Sequence, residues 1–115
     1  MGHLNAIWQA DASAMALASF DRAASPPFVL NVAGPELLSV RHVAEEFGRR
    51  FGKPVAFQGT ESADALLSNG LTGHRLYGQP RVSAERMIPW IADWIARGGE
   101  TWDKPTHFEV RDGQF

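Results

Sequence analysis

FVLNVAGPELLSVRHVAEEFGRRFGKPVAF, residues Phe28 to Phe57, runs from one apolar stretch through a turn and an amphipathic segment to a second apolar stretch. Phe28 to Val32 is short and rich in residues that favour strands, and Val55 to Phe57 is shorter still. Between them Val40, Val43, Ala44, Phe47 and Phe51 recur at helical spacing and form one apolar stripe, whereas Arg41, Glu45, Glu46, Arg49 and Arg50 mostly face water. Ser39 is the natural N-cap, Gly52 the natural C′ residue and Pro54 a stop. A crossover of this length joins parallel neighbours in one sheet, so the stretch reads as a βαβ unit. The fold class expected is α/β: a small parallel sheet of two or three strands flanked by three or four helices. Gly34 and Pro35 supply the reversal after the first strand, with Gly34 free to take a positive φ and Pro35 fixing its own.

Upstream of this unit, Asp11 is placed to cap a helix in which Ala12, Met15, Ala16, Phe20 and Ala23 share a face, ending before Pro26 and Pro27. Its alanines carry little bulk, which suits a helix lying close against a neighbour. Downstream, Gln58 to Gln79 is mostly polar and punctuated by glycines, consistent with loops and one or two short helices anchored by Leu66, Leu67, Leu71, Leu76 and Tyr77. A last helix is signalled by Ser83 as cap, Glu85 in the first turn, Met87, Ile88, Ile91 and Ile95 as apolar positions, and Gly98 with Gly99 at the end. Pro89 predicts a kink there or an irregular first turn. Thr106 to Val110 reads as an edge strand and Asp112 with Gly113 as a turn. Met1, Gly2 and His3 read in part as a leader added for expression, and the fold argument leaves them out.

The 115 residues, 44% of them hydrophobic, fit a single domain spanning 1–115 with a core of its own. Eleven basic and thirteen acidic residues give a formal charge of −2 with no block of either sign, so neither nucleic acid nor an anionic membrane surface is an expected partner. The chain has no cysteine, which removes disulfides and thiolate metal sites and makes the cytoplasm the expected compartment. No apolar run approaches the roughly 18 residues that span a bilayer.

Catalytic constellations are hard to find. His3, His42, His74 and His107 are too far apart in sequence to offer ligand spacing, and metal binding is not expected. His42 is expected on the flank of its helix and the others in exposed loops. Glu45 and Glu46, adjacent on a helix, point apart and read as a solvated face. Gly34 stands alone at its turn, so no phosphate-cradling loop is present. Tyr77 is followed four residues later by Arg81, where hydride chemistry would want a lysine. No catalytic and no cofactor-binding residue is assigned. Trp90 and Trp94 share a helical face that serves either as packing or as a surface for a partner.

Three stretches read together, IWQADASAMAL, FVLNVAGPELLSVRHVAEEFGRRFGK and HRLYGQPRVSAERMIPWIADWI, resemble the carboxyl-terminal part of NAD-dependent epimerase/dehydratase proteins, the extended short-chain dehydrogenase/reductases. The marks are the alanine-rich helix opened by Asp11, the strand Leu30 to Gly34, the helix begun by Ser39, and Tyr77, Gly78 and Pro80 before the last helix. In that family the amino-terminal part carries the dinucleotide loop and the tyrosine and lysine dyad. The resemblance therefore implies a lobe that closes over substrate, inactive alone, binding no cofactor itself while the parent protein uses NAD or NADP. It implies a small-molecule, sugar-like substrate met by the loop from Gln58 to Asn69, with Gln58, Glu61 and Asn69 as candidate substrate contacts. Gly59 and Ser62 stand where nucleotide-sugar members place arginine and aspartate, Asn69 replaces the usual aspartate, and Leu71 and Thr72 replace a serine and lysine pair. Apolar surface left by the missing neighbour implies homo-oligomers. The alternative is a stand-alone α/β binding or interaction module that docks a partner through Trp90 and Trp94.

Overall fold

The computed structural model describes residues 2–105. In chain order its elements are β1 (His3–Leu4), α1 (Gln9–Ala18) followed by a 3-10 turn (Ser19–Arg22), β2 (Leu38–Ser39), α2 (Val40–Phe51), α3 (Leu71–Tyr77) and α4 (Ala84–Ala96). The protein is thus mixed α/β. Residues 5–37 and 67–87 gather into one compact unit, and residues 2–4, 38–66 and 88–105 into another. The edge strand expected at Thr106 to Val110, the turn at Asp112 and Gly113, and His107 lie outside the described residues.

The parallel sheet is a correction. Neither Phe28 to Val32 nor Val55 to Phe57 forms a strand, and the sheet that does form is antiparallel, pairing His3 with Ser39 and Leu4 with Leu38. The Val40 amide extends it by donating to the Gly2 carbonyl at 3.0 Å. A strand exists only where a neighbour takes up its backbone N–H and C=O groups, and no described residue supplies one for the run at Phe28. Composition alone reported the propensity of that run and not its pairing. Two of the residues left out of the fold argument take part in the sheet: Gly2 is buried and His3 lies in β1.

The α2 helix follows its local signals. The Ser39 hydroxyl accepts the His42 amide at 3.3 Å, the apolar side chains Val40, Val43, Ala44, Phe47 and Phe51 are half-buried, and Phe47 stacks on Phe51 with ring centroids 6.0 Å apart. At the other end Gly52 takes φ 62°, and the Lys53 amide reaches back to the Gly48 carbonyl at 2.9 Å, a Schellman ending. Gly48, the one fully buried position of α2, is packed so closely that a Cβ there would overlap the Val55 side chain. Glu46 is more covered than a solvated face implies, because Arg49 and Arg50 both fold onto its Oε1, at 2.7 and 2.8 Å. The hydrogen bond from Arg49 is the main reason its carboxyl titrates below the usual range.

α4 repeats the Schellman ending: Gly98 has φ 72°, its amide donates to the Ile95 carbonyl at 3.0 Å, and the Gly99 amide donates to the Trp94 carbonyl at 2.8 Å. Pro89 sits inside the helix without ending it. The Ser83 carbonyl accepts the first helical bonds, but the amide of Ala84 is capped by the Glu36 carboxylate at 3.0 Å.

α1 ends before Pro26, as expected, but departs from expectation at its start. Trp8 occupies the N-cap position, and Asp11 lies in the first turn with its Oδ2 accepting the amides of Arg81 and Val82, each at 3.0 Å. Of the apolar face expected on this helix only Met15 is buried, and Phe20 is 75% exposed. Gly34 also departs: it does not have a positive φ, and its role is to let the backbone of Ala6 approach.

Candidate functional site

The loop before α3 and the turn after Gly34 meet over a cleft of about 210 Å³ lined by Pro35, Glu36, Leu37, Leu67, Leu71 and Gln79, among others. Two asparagines shape it. Asn5 clamps the walls together, its Nδ2 donating to the Gly34 carbonyl at 3.2 Å and to the Ser68 carbonyl at 2.8 Å while its Oδ1 accepts the Ser68 amide at 3.3 Å. Asn69 turns the chain into α3 by accepting the Leu71 amide at 3.0 Å on its Oδ1. That leaves the Asn69 Nδ2 as a donor at the rim.

His74 closes the cleft from below. It is 7% exposed, and its Nε2 lies 2.8 Å from the Ala33 carbonyl oxygen. A carbonyl can only accept, so in the neutral ring Nε2 carries the proton and Nδ1 the lone pair, buried and without a hydrogen-bond partner among the described residues. The expectation of an exposed loop histidine is corrected here. What admits the ring is glycine: a Cβ on Gly70 would stand 2.7 Å from the Ala33 oxygen and 3.0 Å from the His74 Nε2. Gly73, one residue before His74, brings α3 within contact of Asn31 and Met15. Gly70 and Gly73 were the readable signal for a close approach, but the partner at Ala33 lies 41 residues away and has no sequence mark.

Of the three candidate substrate contacts, Asn69 lines the cleft and Gln58 and Glu61 do not. Gln58 is exposed, and Glu61 is engaged by Arg41 at 2.6 Å, whose guanidinium also lies 4.1 Å from the centre of the Phe57 ring. Both belong to the unit that holds α2. Asn5, Glu36, His74 and Gln79 enter the site without having been singled out for it.

Among the described residues the groups open to a ligand are the Asn69 amide, the Gln79 amide and the Glu36 carboxylate oxygen not used at α4, set among Leu37, Leu67 and Leu71. This set can orient a small hydroxylated molecule by hydrogen bonds against an apolar wall. Among the described residues no cluster of three metal-ligating side chains occurs. Tyr77 lies elsewhere, donating to the Asp21 carboxylate at 3.3 Å. Burial first, and then the Asp21 charge, push its phenol above the ordinary tyrosine range, the opposite of what a proton-transferring tyrosine needs.

Compared with protein-family models, with curated proteins and with solved structures, the chain finds no match in any of the three. No described helix is long and apolar enough to cross a membrane.

Proposed function

We propose that the chain is the substrate-binding lobe of an NAD(P)-dependent epimerase, dehydratase or reductase, with electron transfer left to a nucleotide-binding domain outside these residues. The observation that carries this reading is the apolar surface left uncovered. Among the described residues the buried apolar side chains are Met15, Ala33, Ala84, Met87 and Ala92, and no large side chain is fully buried, whereas Leu17, Phe20, Phe28 and Val29 are all more than half exposed. Exposed apolar surface of this kind marks a face that another body covers. The strand-favouring run at Phe28, without a ladder partner among the described residues, is what a neighbouring sheet would complete. In this reading the cleft at Asn69 receives the polar end of a small, sugar-like substrate. Calorimetric titration of the chain with NAD⁺ and with NADPH is expected to give no binding heat. Binding of either cofactor at micromolar Kd would sink the proposal.

A second reading, an interaction module, is favoured by one feature. Trp90, Ile91, Trp94 and Ile95 are 43, 40, 52 and 45% exposed along one side of α4. Such a face drives self-association when nothing else covers it. Light scattering at high protein concentration is expected to show dimers or larger species, and Ile91→Glu with Ile95→Glu is expected to return the chain to a monomer. Association that survives the double substitution places the contact elsewhere.

A further inference from the structure

We propose that a groove along α1 binds a small zwitterion carrying a planar ring, the chemistry of an aromatic α-amino acid. The groove, about 470 Å³, lies between α1 and the turn that follows Tyr77, and is separate from the cleft at His74 apart from sharing Gln79. Its size falls within the range of small-molecule sites, on the order of 300–1,000 Å³. Trp8 and Tyr77 give it aromatic surface, and Ala14, a side chain without bulk, leaves room for a flat ring beside them.

The charges decide the ligand. Asp11 and Arg81 both line the groove and make no ion pair with each other. Asp11 Oδ2 is occupied by the amides of Arg81 and Val82, which fix the carboxylate in place, and Oδ1 has no hydrogen bond among the described residues. The exposed Arg81 guanidinium has no hydrogen bond or ion pair among the described residues. Tyr77, the remaining ionisable group of the lining, has its hydroxyl committed to Asp21. A simple anion drawn by Arg81 is repelled by Asp11, and a simple cation drawn by Asp11 is repelled by Arg81. A molecule that offers an ammonium to Asp11 Oδ1 and a carboxylate to the Arg81 fork satisfies both, through charge-assisted hydrogen bonds.

The test is an NMR titration of the ¹⁵N-labelled chain with L-phenylalanine, which is expected to shift the amide signals of Arg81 and Val82 and to saturate at roughly millimolar concentration. 3-Phenylpropionate and phenethylamine, each lacking one of the two charges, are expected to bind about tenfold more weakly. Arg81→Gln, which keeps the backbone bond to Asp11, is expected to weaken L-phenylalanine by a similar factor. No shift up to the solubility of L-phenylalanine, equal affinity for the three probes, or an unchanged affinity in Arg81→Gln overturns the proposal.

Discussion

Gly34→Ala is expected to cost the fold about 3 kcal/mol or more, a large share of the roughly 5–15 kcal/mol that holds a domain of this size. The added Cβ would overlap the carbonyl oxygen of Ala6 and stand 2.8 Å from its carbonyl carbon. Both atoms are backbone, so no rotamer change relieves the contact, and the two segments must separate. Separation also strains the Asn5 side chain, which holds the Gly34 carbonyl on one side and Ser68 on the other. The buried apolar side chains near this point are small or few, so little burial energy is available to offset the loss. Urea denaturation followed by far-UV circular dichroism measures the effect as a lowered midpoint. Gly59→Ala is the control, because that glycine has open space around it and its φ of 77° makes the cost purely conformational, roughly 1–2 kcal/mol. A Gly34→Ala midpoint equal to that of the native chain would mean that the close approach to Ala6 does not exist in solution.

The contrast between Gly34 and Gly52 shows where sequence reading succeeds. Gly52 could be assigned because a helix ending is a local device: Ser39, the apolar stripe, Gly52 and Pro54 all lie within one short stretch and constrain one another. The same holds for Gly98 after α4. Gly34 stands next to a proline in an apparent turn, and turn chemistry offers a positive φ as the ordinary reason for a glycine there. The actual reason, the backbone of Ala6, is 28 residues upstream and carries no side-chain signature. Strand assignment failed on the same ground. Val29 and Leu30 have the residue types of a strand, but pairing is a relation between two segments, and the segment that pairs with Leu38 and Ser39 is the one at His3. Asp11 illustrates a third case: its place near a helix start was legible, yet its carboxylate serves amides 70 and 71 residues away instead of its own helix end. Of the site, Asn69 was named only through the family resemblance and its cap of the Leu71 amide was not foreseen, whereas Asn5 and His74 acquire their roles only once Gly34 and Gly70 have brought distant backbone together.

His74 separates packing from hydrogen bonding in the floor of the cleft, and His74→Ala is expected to destabilise the protein by about 3 kcal/mol. Two losses add. The Ala33 carbonyl, on a residue only 6% exposed, forfeits its donor at 2.8 Å, and the space of a buried imidazole is left empty. His74→Leu fills most of that space and still orphans the carbonyl, but it also removes the buried Nδ1, which has no partner among the described residues. Losing one unsatisfied acceptor while creating another leaves a smaller net cost, about 1 kcal/mol. The order of midpoints in urea is therefore expected to be native, then His74→Leu, then His74→Ala. If the leucine variant is the worse of the two, a branched side chain does not fit the space the ring leaves, and the smaller alanine fares better because water can enter and donate to the Ala33 carbonyl in the imidazole's place. If both variants match the native chain, the ring does not lie beneath Gly70 at all, and the wall that carries Asn69 has lost its support.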